Sequence, residues 1–408
     1  MTMKTVSLMI HTLRLTGAAG ILAAALSFGA VPVHAAEAAP SQADIAKSDP
    51  GNSQDETAAA TSSSTASNDP SGQTDAPAEI RISIDKPVLL LAAGEQAQLH
   101  ATVESDDSTV TTGVTWSSSD LSVLHVSRTG RVTAVYPGQA SIIAYAGDTK
   151  VSAKCAVVVY PDGDLAVIAE EQENWTFKAF YRAMANLKGK TSPWRRILCI
   201  GDSVTAGVQA GPGLKAWIPN YPLVMSSLLK VPVFNRGVGG SSIWSRGSYS
   251  ILDSLDHYED ADAIFLMGGY NDWFFGEECP IGDLETPGTF TYDFEALCIR
   301  ISETWPDADV FVILPPTPHD HMGVEPYYDF SWLKAIERER AEAHGFRVLN
   351  LPAEDILNGL EEDTWKTFFS DNVHMNDYGY LVLGSIIADK ALQSMEDMPA
   401  VVSESVVE

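Results

Sequence analysis

Three residue types that together perform acyl transfer occur in this chain at spacings that favour a joint site. Asp371 and His374 are three residues apart, close enough for the carboxylate to bind the imidazole within one turn. Ser203 follows an apolar run and opens a helix-like segment, which would place its hydroxyl and its own N–H near the positive end of a helix. Such a set suits nucleophilic catalysis, although a helix N-cap alone would explain the serine.

Two further blocks could donate hydrogen bonds to a negatively charged oxygen. The block from Asn235 to Gly240 reads Asn-Arg-Gly-Val-Gly-Gly, and its glycines allow backbone N–H groups to approach a ligand closely. Asn271, in Gly269-Tyr270-Asn271-Asp272, offers a side-chain amide. Turn formation alone would also explain either block.

The elements that must position these blocks are short apolar runs separated by segments of helical length. The runs cover residues 197–200, 231–235, 263–267, 310–314 and 346–350. Such alternation predicts right-handed βαβ units and a parallel sheet covered by helices on both faces. Ligands bind at the carboxyl ends of the strands in sheets of this kind, and three of the blocks directly follow the first three runs. The predicted fold is therefore a flavodoxin-like three-layer α/β/α domain with a parallel five-stranded sheet.

Together the blocks resemble the motifs of the SGNH, or GDSL, hydrolase family, in the expected order over residues 195–395. The matching stretches are Gly201-Asp202-Ser203, Asn235 to Gly240, Gly269 to Asp272, and Asp371 to His374. Val204 stands where the GDSL name has leucine, an apolar exchange that leaves the catalytic roles in place. No cofactor is implied.

The resemblance implies a role for each site residue. Ser203 would be the nucleophile, His374 the general base and later the general acid, and Asp371 the residue that orients the imidazole. The oxyanion hole would combine the backbone N–H groups of Ser203 and Gly240 with the amide of Asn271. Asp202 is expected to be structural.

Other chemistries are less well supported by the sequence. Gly189-Lys190-Thr191 resembles the end of a phosphate-binding loop, but Met184 stands where that loop needs glycine. A Gly-x-Ser-x-Gly elbow is missing around Ser203, which argues against the α/β-hydrolase fold. The sequence His319-Asp320-His321 is compatible with a metal site, a substrate-lining loop or a solvated loop. Trp273 could stack on a sugar ring as a substrate-binding residue or pack in the core.

Charge restricts the partners of the protein. The 408 residues carry a formal net charge of −28, most of it in residues 161–395. An acidic field of this size repels nucleic acid, anionic membrane surfaces and polyanionic glycans. Neutral or cationic substrates are favoured, and neither nucleic-acid binding nor stable membrane insertion is expected.

The ends of the chain differ in composition from the rest. Residues 1–36 have a basic start, an apolar stretch broken by glycines and small residues at a cleavage site, which indicates an export signal; a retained membrane anchor is the alternative. Residues 37–78 contain almost no large apolar side chains and are expected to be a disordered linker. Residues 396–408 form an acidic tail. The mature protein is expected to be secreted or associated with the cell surface.

Residues 79–160 show the short alternating runs of a small antiparallel β-sandwich. The stretches from Val114 to Asp120, from Gly130 to Val135 and from Pro137 to Ala140 resemble the bacterial group 2 immunoglobulin-like domain. The resemblance implies a spacer, with Trp116 in the core of the sandwich. Residues 161–194 are predicted to hold one amphipathic connecting helix that ends near Gly189.

The four cysteines are too few for a disulfide scaffold. Cys199 lies in an apolar run and is expected to be buried in a strand, and Cys155 belongs to the other domain. Cys279 and Cys298 are either bonded to each other or two unpaired thiols.

These observations predict an exported serine esterase that removes short acyl groups, most simply acetyl, from carbohydrate or another small ester. Two alternatives stay open from the sequence. One is an esterase of the lipase or lysophospholipase type, and the other is a non-catalytic cell-surface protein that binds glycans.

Overall fold

The computed structural model describes residues 80–106, 113–209, 219–247, 249–255, 260–320 and 325–396. The predicted export signal, the linker and all of the acidic tail but Glu396 lie outside these residues. β-strands run up to Tyr160, and helices alternate with strands from Leu165 onward. None of the described helices combines the length and the apolarity that crossing a bilayer requires.

The first domain is the predicted immunoglobulin-like sandwich. Its strands form the sheets β2-β9-β8-β5 and β3-β7-β6 and the pair β1-β4. They are β1 Ile80–Ile84, β2 Val88–Ala92, β3 Gln96–Gln98, β4 Ala101–Ser105, β5 Val114–Ser118, β6 Leu124–Val126, β7 Arg131–Ala134, β8 Gly138–Ala146 and β9 Ser152–Tyr160. Trp116, on β5, is half-buried and packs against the core of the sandwich.

One strand pair departs from the expected antiparallel pattern. β2 and β9 run in parallel, with Val88 opposite Ala156. β1 and β2 follow each other in the chain but belong to different sheets. β1 pairs with β4, and after Pro87 the chain continues as β2, which pairs with β9. Proline has no N–H to donate to a ladder, so it suits the point where the chain changes sheets.

Strand β9 is buried on both of its faces. Cys155, Val157 and Val159 point into the core of the sandwich. Ala156 and Val158 point the other way and belong to the same apolar cluster as the helices of the second domain. Because successive side chains of a strand face opposite sides, one face of β9 packs in the sandwich and the other packs against the second domain. The contact fixes the sandwich against the second domain.

The second domain is the predicted three-layer α/β structure. Its strands are β10 Ile197–Gly201, β11 Val233–Gly237, β12 Ala263–Met267, β13 Asp309–Leu314 and β14 Arg347–Asn350. All pairs are parallel and the order is β11-β10-β12-β13-β14, which is the flavodoxin-like order 2-1-3-4-5. The predicted five-stranded fold is confirmed.

Helices cover both faces of this sheet. They are α1 Leu165–Glu170, α2 Trp175–Leu187, α3 Ser203–Ala206, α4 Tyr221–Leu229, α5 Ile251–Ser254, α6 Tyr270–Phe275, α7 Phe290–Thr304, α8 Phe330–Ala343, α9 Glu362–Phe368 and α10 Asp377–Glu396. Short 3₁₀ turns occur at Gly276–Glu278 and Pro352–Glu354.

Two elements differ in their limits from the sequence prediction. The strand predicted at 231–235 runs from Val233 to Gly237, because the edge strand β11 is only half-buried and accommodates the polar Asn235 and Arg236. The single helix predicted after residue 165 is two helices. Asn174 caps the second one by accepting hydrogen bonds from the N–H groups of Thr176 and Phe177.

Helix α2 is part of the α/β core rather than only a connection. Phe180 and Met184 on this helix are buried in the main apolar cluster together with residues of α4 and α10. The helix ends at Leu187, two residues before Gly189, as predicted.

Candidate active site

Ser203 lies where β10 turns sharply into α3. β10 is buried along its whole length and ends at Gly201. A Cβ atom at Gly201 would lie 2.1 Å from the carbonyl oxygen of Met267, so only glycine fits there. Asp202 then caps α3 by accepting a hydrogen bond of 2.9 Å from the N–H of Val204. Ser203 is thereby placed at the carboxyl edge of the sheet.

The side chains of Ser203, His374 and Asp371 form a continuous hydrogen-bonded row. Ser203 Oγ and His374 Nε2 are 2.8 Å apart, and His374 Nδ1 and Asp371 Oδ2 are also 2.8 Å apart. With a proton on Nδ1, the imidazole donates to the carboxylate and Nε2 accepts from the serine hydroxyl. The serine comes from the central part of the sheet, and the other two side chains come from the loop before α10.

The environment of Asp371 favours its ionised form. Burial raises the pKa of this carboxyl, but the hydrogen bond and charge of the His374 side chain lower it. Backbone N–H groups of Val373 and His374 also donate to Oδ1, at 2.8 and 2.6 Å. The net effect is a pKa below the usual value for aspartate. Asp371 can therefore orient the imidazole and stabilise its charged form.

Gly240 and Asn271 reach the same edge from the two neighbouring strands. Gly240 follows β11 and has a φ of +80°, which favours glycine. Asn271 follows β12, and its Nδ2 donates to the carbonyl oxygen of Ser241 at 2.8 Å. The Ser241 hydroxyl shares its hydrogen between the carbonyl oxygens of Val238, at 2.8 Å, and Gly201, at 3.1 Å, and the N–H of Val238 donates to the Gly201 oxygen at 3.0 Å. The three loops are thus bonded to one another, and Asn271 has a second amide hydrogen for a ligand.

Family models match both domains of the chain. Residues 80–157 match the bacterial Ig-like domain (group 2), and residues 199–382 match the GDSL-like lipase/acylhydrolase family. The α/β domain is a GDSL-like lipase/acylhydrolase domain. The chain is therefore an SGNH-type ester hydrolase with an Ig-like domain before its GDSL domain, as the motifs predicted.

Solved structures similar to the GDSL domain come from several bacteria. A Lactobacillus plantarum protein is 22% identical, with 51% of this chain and 100% of that chain covered and a TM-score of 0.44. A lipase/acylhydrolase from Enterococcus faecalis is 21% identical, with 49% and 96% covered and a TM-score of 0.38. A possible lipase from Chitinophaga pinensis is 16% identical, with 49% and 98% covered and a TM-score of 0.37. No curated protein matches the sequence.

Asp272 shapes the loop of the GDSL domain that carries Ser241, a role that the sequence analysis missed. Its carboxylate is fully buried and accepts hydrogen bonds from the backbone N–H groups of Ile243, at 3.1 Å, and Trp244, at 2.7 Å. Burial raises its pKa to about 6, although these two bonds lower it. The signal in the sequence was an aspartate followed directly by the three aromatic residues Trp273, Phe274 and Phe275.

Asp202, the residue before Ser203 in the GDSL domain, is fully buried. Its Oδ1 accepts the capping bond from Val204, whereas Oδ2 has no hydrogen-bond partner among the described residues. Burial is the main reason why its pKa is raised to about 7; the capping bond and the charge of His374 lower it. Its contacts agree with the expected structural role.

The loop after β13 supports the Asp371–His374 loop of the GDSL domain. His319 donates its backbone N–H to the carbonyl oxygen of Asn372 at 2.7 Å, and its ring stacks on Trp365 with 3.9 Å between ring centroids. Trp365 donates its indole N–H to the carbonyl oxygen of Asp371 at 2.9 Å. Asp320 accepts from the amide of Asn372 at 2.7 Å. His321, the third residue considered for a metal, lies outside the described residues.

Of the two roles considered for Trp273, sugar stacking and core packing, its surroundings match core packing. Its side chain is only 6% exposed, and its indole N–H donates to the carbonyl oxygen of Tyr328 at 2.9 Å. Its ring packs against Phe330, with 5.0 Å between ring centroids. Trp273 lies on α6 directly after the site residues, but the helix turns its side chain into the core.

The four cysteines are buried free thiols. Cys279 and Cys298 are therefore two unpaired thiols and are not bonded to each other. Cys199 lies inside β10, as expected.

Proposed function

We propose that the protein is an exported serine esterase that removes short acyl groups, in the first place acetyl, from carbohydrate. The observation that carries the proposal is the row of 2.8 Å contacts from Ser203 through His374 to Asp371. It joins a nucleophile, a base and an orienting carboxylate in the sequence of contacts that acyl transfer requires.

In the acylation step, Ser203 Oγ attacks the carbonyl carbon of the ester while its proton passes to His374 Nε2. The imidazole becomes positively charged, and the ionised Asp371 stabilises that charge through Nδ1. His374 then gives the proton to the departing alcohol oxygen. The sugar hydroxyl leaves, and the acyl group remains bonded to Ser203.

The tetrahedral intermediate carries a negative charge on the former carbonyl oxygen. We assign its binding to the backbone N–H groups of Ser203 and Gly240 and to the amide of Asn271. Because these donors belong to three loops that are bonded to one another through Ser241, they are oriented before the substrate arrives.

Deacylation repeats the same steps with water. His374 takes a proton from a water molecule as the water attacks the acyl carbon, and it returns the proton to Ser203 Oγ when the carboxylic acid leaves. The site is restored without any cofactor.

The choice of substrate is supported by charge. A net charge of −28 repels polyanionic glycans and anionic lipid surfaces, which leaves neutral acylated carbohydrate as a favoured class. Export is supported by the pattern of residues 1–36, a basic start followed by an interrupted apolar stretch and a small-residue cleavage site.

The proposal is tested on the full chain with 4-nitrophenyl esters of increasing acyl length and with acetylated oligosaccharides. We expect acetate to be the best acyl group, acetate to be released from the oligosaccharides, and Ser203→Ala to abolish both activities. A preference for long acyl chains would instead indicate a lipase-type esterase. Equal rates for wild type and Ser203→Ala would reject the serine mechanism.

A further inference from the structure

A polar cleft lies between the Ig-like domain and the GDSL domain, beside the loop that carries His374. Its volume is about 320 Å³, close to the lower limit of small-molecule sites. Both domains contribute to its lining, which includes Gln139, Ser141 and Lys154 from the sandwich and Gln209, Asn376 and Asp377 from the hydrolase domain.

The cleft is continuous with the segments that hold the reacting side chains. Asp377 is three residues after His374, and Gln209 is six residues after Ser203. Gln209 Nε2 donates to Asp377 Oδ1 at 2.8 Å, which joins the two segments. A ligand in the cleft would therefore contact the two chain segments that carry Ser203 and His374.

The Ig-like wall of the cleft is held firmly in place. Ser141 is paired with Ala156 on β9, and Ala156 is 1% exposed against the core of the hydrolase domain. Lys154, on the same face of β9, forms an ion pair with Asp377. The two walls are thus positioned before a ligand binds, which reduces the entropy cost of binding.

The chemistry of the lining fits an uncharged, hydroxyl-rich ligand. Amide, hydroxyl and carboxylate groups can donate to or accept from sugar hydroxyls, and the charges of Lys154 and Asp377 offset each other. The aliphatic side chain in the lining is that of Ala140, so the cleft offers little to an acyl chain. An anionic ligand would gain no net attraction from this neutralised ion pair and would meet the net negative charge of the protein.

We infer that this cleft is a binding subsite for the neutral sugar residues next to the acylated one. The Ig-like domain then forms part of the substrate-binding surface and is more than a spacer. The inference rests on the proposed function for the identity of the substrate at Ser203, but binding in the cleft itself needs no turnover.

The test measures binding of unacylated oligosaccharides to the full chain by calorimetry. The probes are cellohexaose, xylohexaose, mannohexaose and N-acetylchitohexaose, with hexagalacturonate as the anionic comparison. We expect at least one neutral probe to bind with a Kd in about the millimolar range and hexagalacturonate to bind more weakly. Binding to none of the neutral probes, or tighter binding of hexagalacturonate, would overturn the inference.

Ser141→Trp places an indole in the cleft and should weaken binding of that probe about tenfold or more, a change of about 1.4 kcal/mol. The matched control is Ser83→Trp, at an exposed position of β1 outside the cleft, which should bind within about twofold of wild type. Equal affinity of wild type and Ser141→Trp would reject the subsite.

A second variant covers the case in which Ser141→Trp lowers the melting temperature. Gln139→Ala only shortens an exposed side chain and should weaken binding about threefold or more, as loss of one hydrogen bond to a ligand predicts. No change in this variant would then count against the cleft. Loss of esterase activity in Ser203→Ala is a separate measurement, so failure of the mechanism and failure of the subsite are distinguishable.

Discussion

The carboxylate of Asp272 accepts a hydrogen bond of 2.7 Å from the backbone N–H of Trp244. Helix α6, which follows β12 and carries Asp272, thereby holds the loop after β11 in place. The second oxygen of Asp272 accepts from Ile243. The same loop contains Ser241, whose carbonyl oxygen holds the Asn271 amide. A residue that does not belong to the predicted catalytic set thus orients one of its members.

Asp272→Asn should lower both stability and turnover. Asparagine has one acceptor oxygen, so one of the two N–H groups would face an amide NH₂, at a cost of about 1–3 kcal/mol in the free energy of unfolding. Denaturant unfolding and kcat for an acetate ester measure the two effects. Asp293→Asn is the control, because one asparagine oxygen can still accept the 2.8 Å bond from the N–H of Ser245. Equal losses in both variants would contradict this explanation.

Asn271→Ala should lower kcat about 10²–10³-fold, the usual effect of removing one oxyanion donor, while the KM for a small acetate ester changes little. The measurement is steady-state kinetics with 4-nitrophenyl acetate. Asn358→Ala removes a half-buried asparagine whose amide bonds to Asp355 elsewhere in the domain, and it should keep the kcat of the wild type. A loss in Asn271→Ala that appears only in KM would argue against an oxyanion role.

Asp371→Asn should lower kcat about 10⁴-fold, because an amide at this position favours the wrong tautomer of His374.

The lowered pKa of Asp371 also has a consequence for stability. The carboxylate stabilises the fold above the pKa of the unfolded chain, and this contribution is lost as the pH falls through the lower folded value.

The stability difference between wild type and Asp371→Asn should therefore be constant near neutral pH and shrink only in acid. Urea unfolding of both proteins across the acidic range provides the measurement. A difference that instead disappeared as the pH rose toward neutrality would show that the carboxylate is not stabilised in the folded state.

Asp202→Asn should stabilise the protein increasingly as the pH rises. Burial raises the pKa of Asp202 to about 7, so between about pH 4 and 7 the folded state keeps a proton that the unfolded chain releases. The free energy of unfolding of the wild type therefore falls as the pH rises across this window. Asparagine does not titrate, so the variant does not show this decrease.

The expected gain of Asp202→Asn relative to wild type between pH 4 and pH 8 is at most about 4 kcal/mol, since one pKa unit corresponds to about 1.4 kcal/mol. Urea unfolding at several pH values measures it. Asp283→Asn, at an exposed turn with a lowered pKa, serves as the control and should show no such gain. A pH-independent difference for Asp202→Asn would contradict the raised pKa.

The parts of the structure that the sequence predicted well are those with a periodic or local signal. Continuous apolar runs such as the one ending at Gly201 mark buried parallel strands, and their order brings the residues that follow them to one edge. Asp371 and His374 are near neighbours in the chain, so their contact could also be predicted.

The errors and omissions concern side chains whose surroundings come from distant segments. The direction of Trp273 depends on how α6 lies against Tyr328 and Phe330, which no local pattern records. The ion pair of Lys154 with Asp377 joins residues 223 positions apart in two different domains. Nothing in the sequence around either residue indicates the other.

The double burial of β9 limits how the two domains can be separated. Removing the sandwich would expose to water the helix surface that Ala156 and Val158 now cover, and removing the hydrolase domain would leave these two side chains uncovered. A hydrolase fragment that starts after Tyr160 would thus expose an apolar patch on its surface, a feature associated with aggregation. Recombination that exchanges the sandwich for another module must therefore supply a strand face that covers the same helix surface.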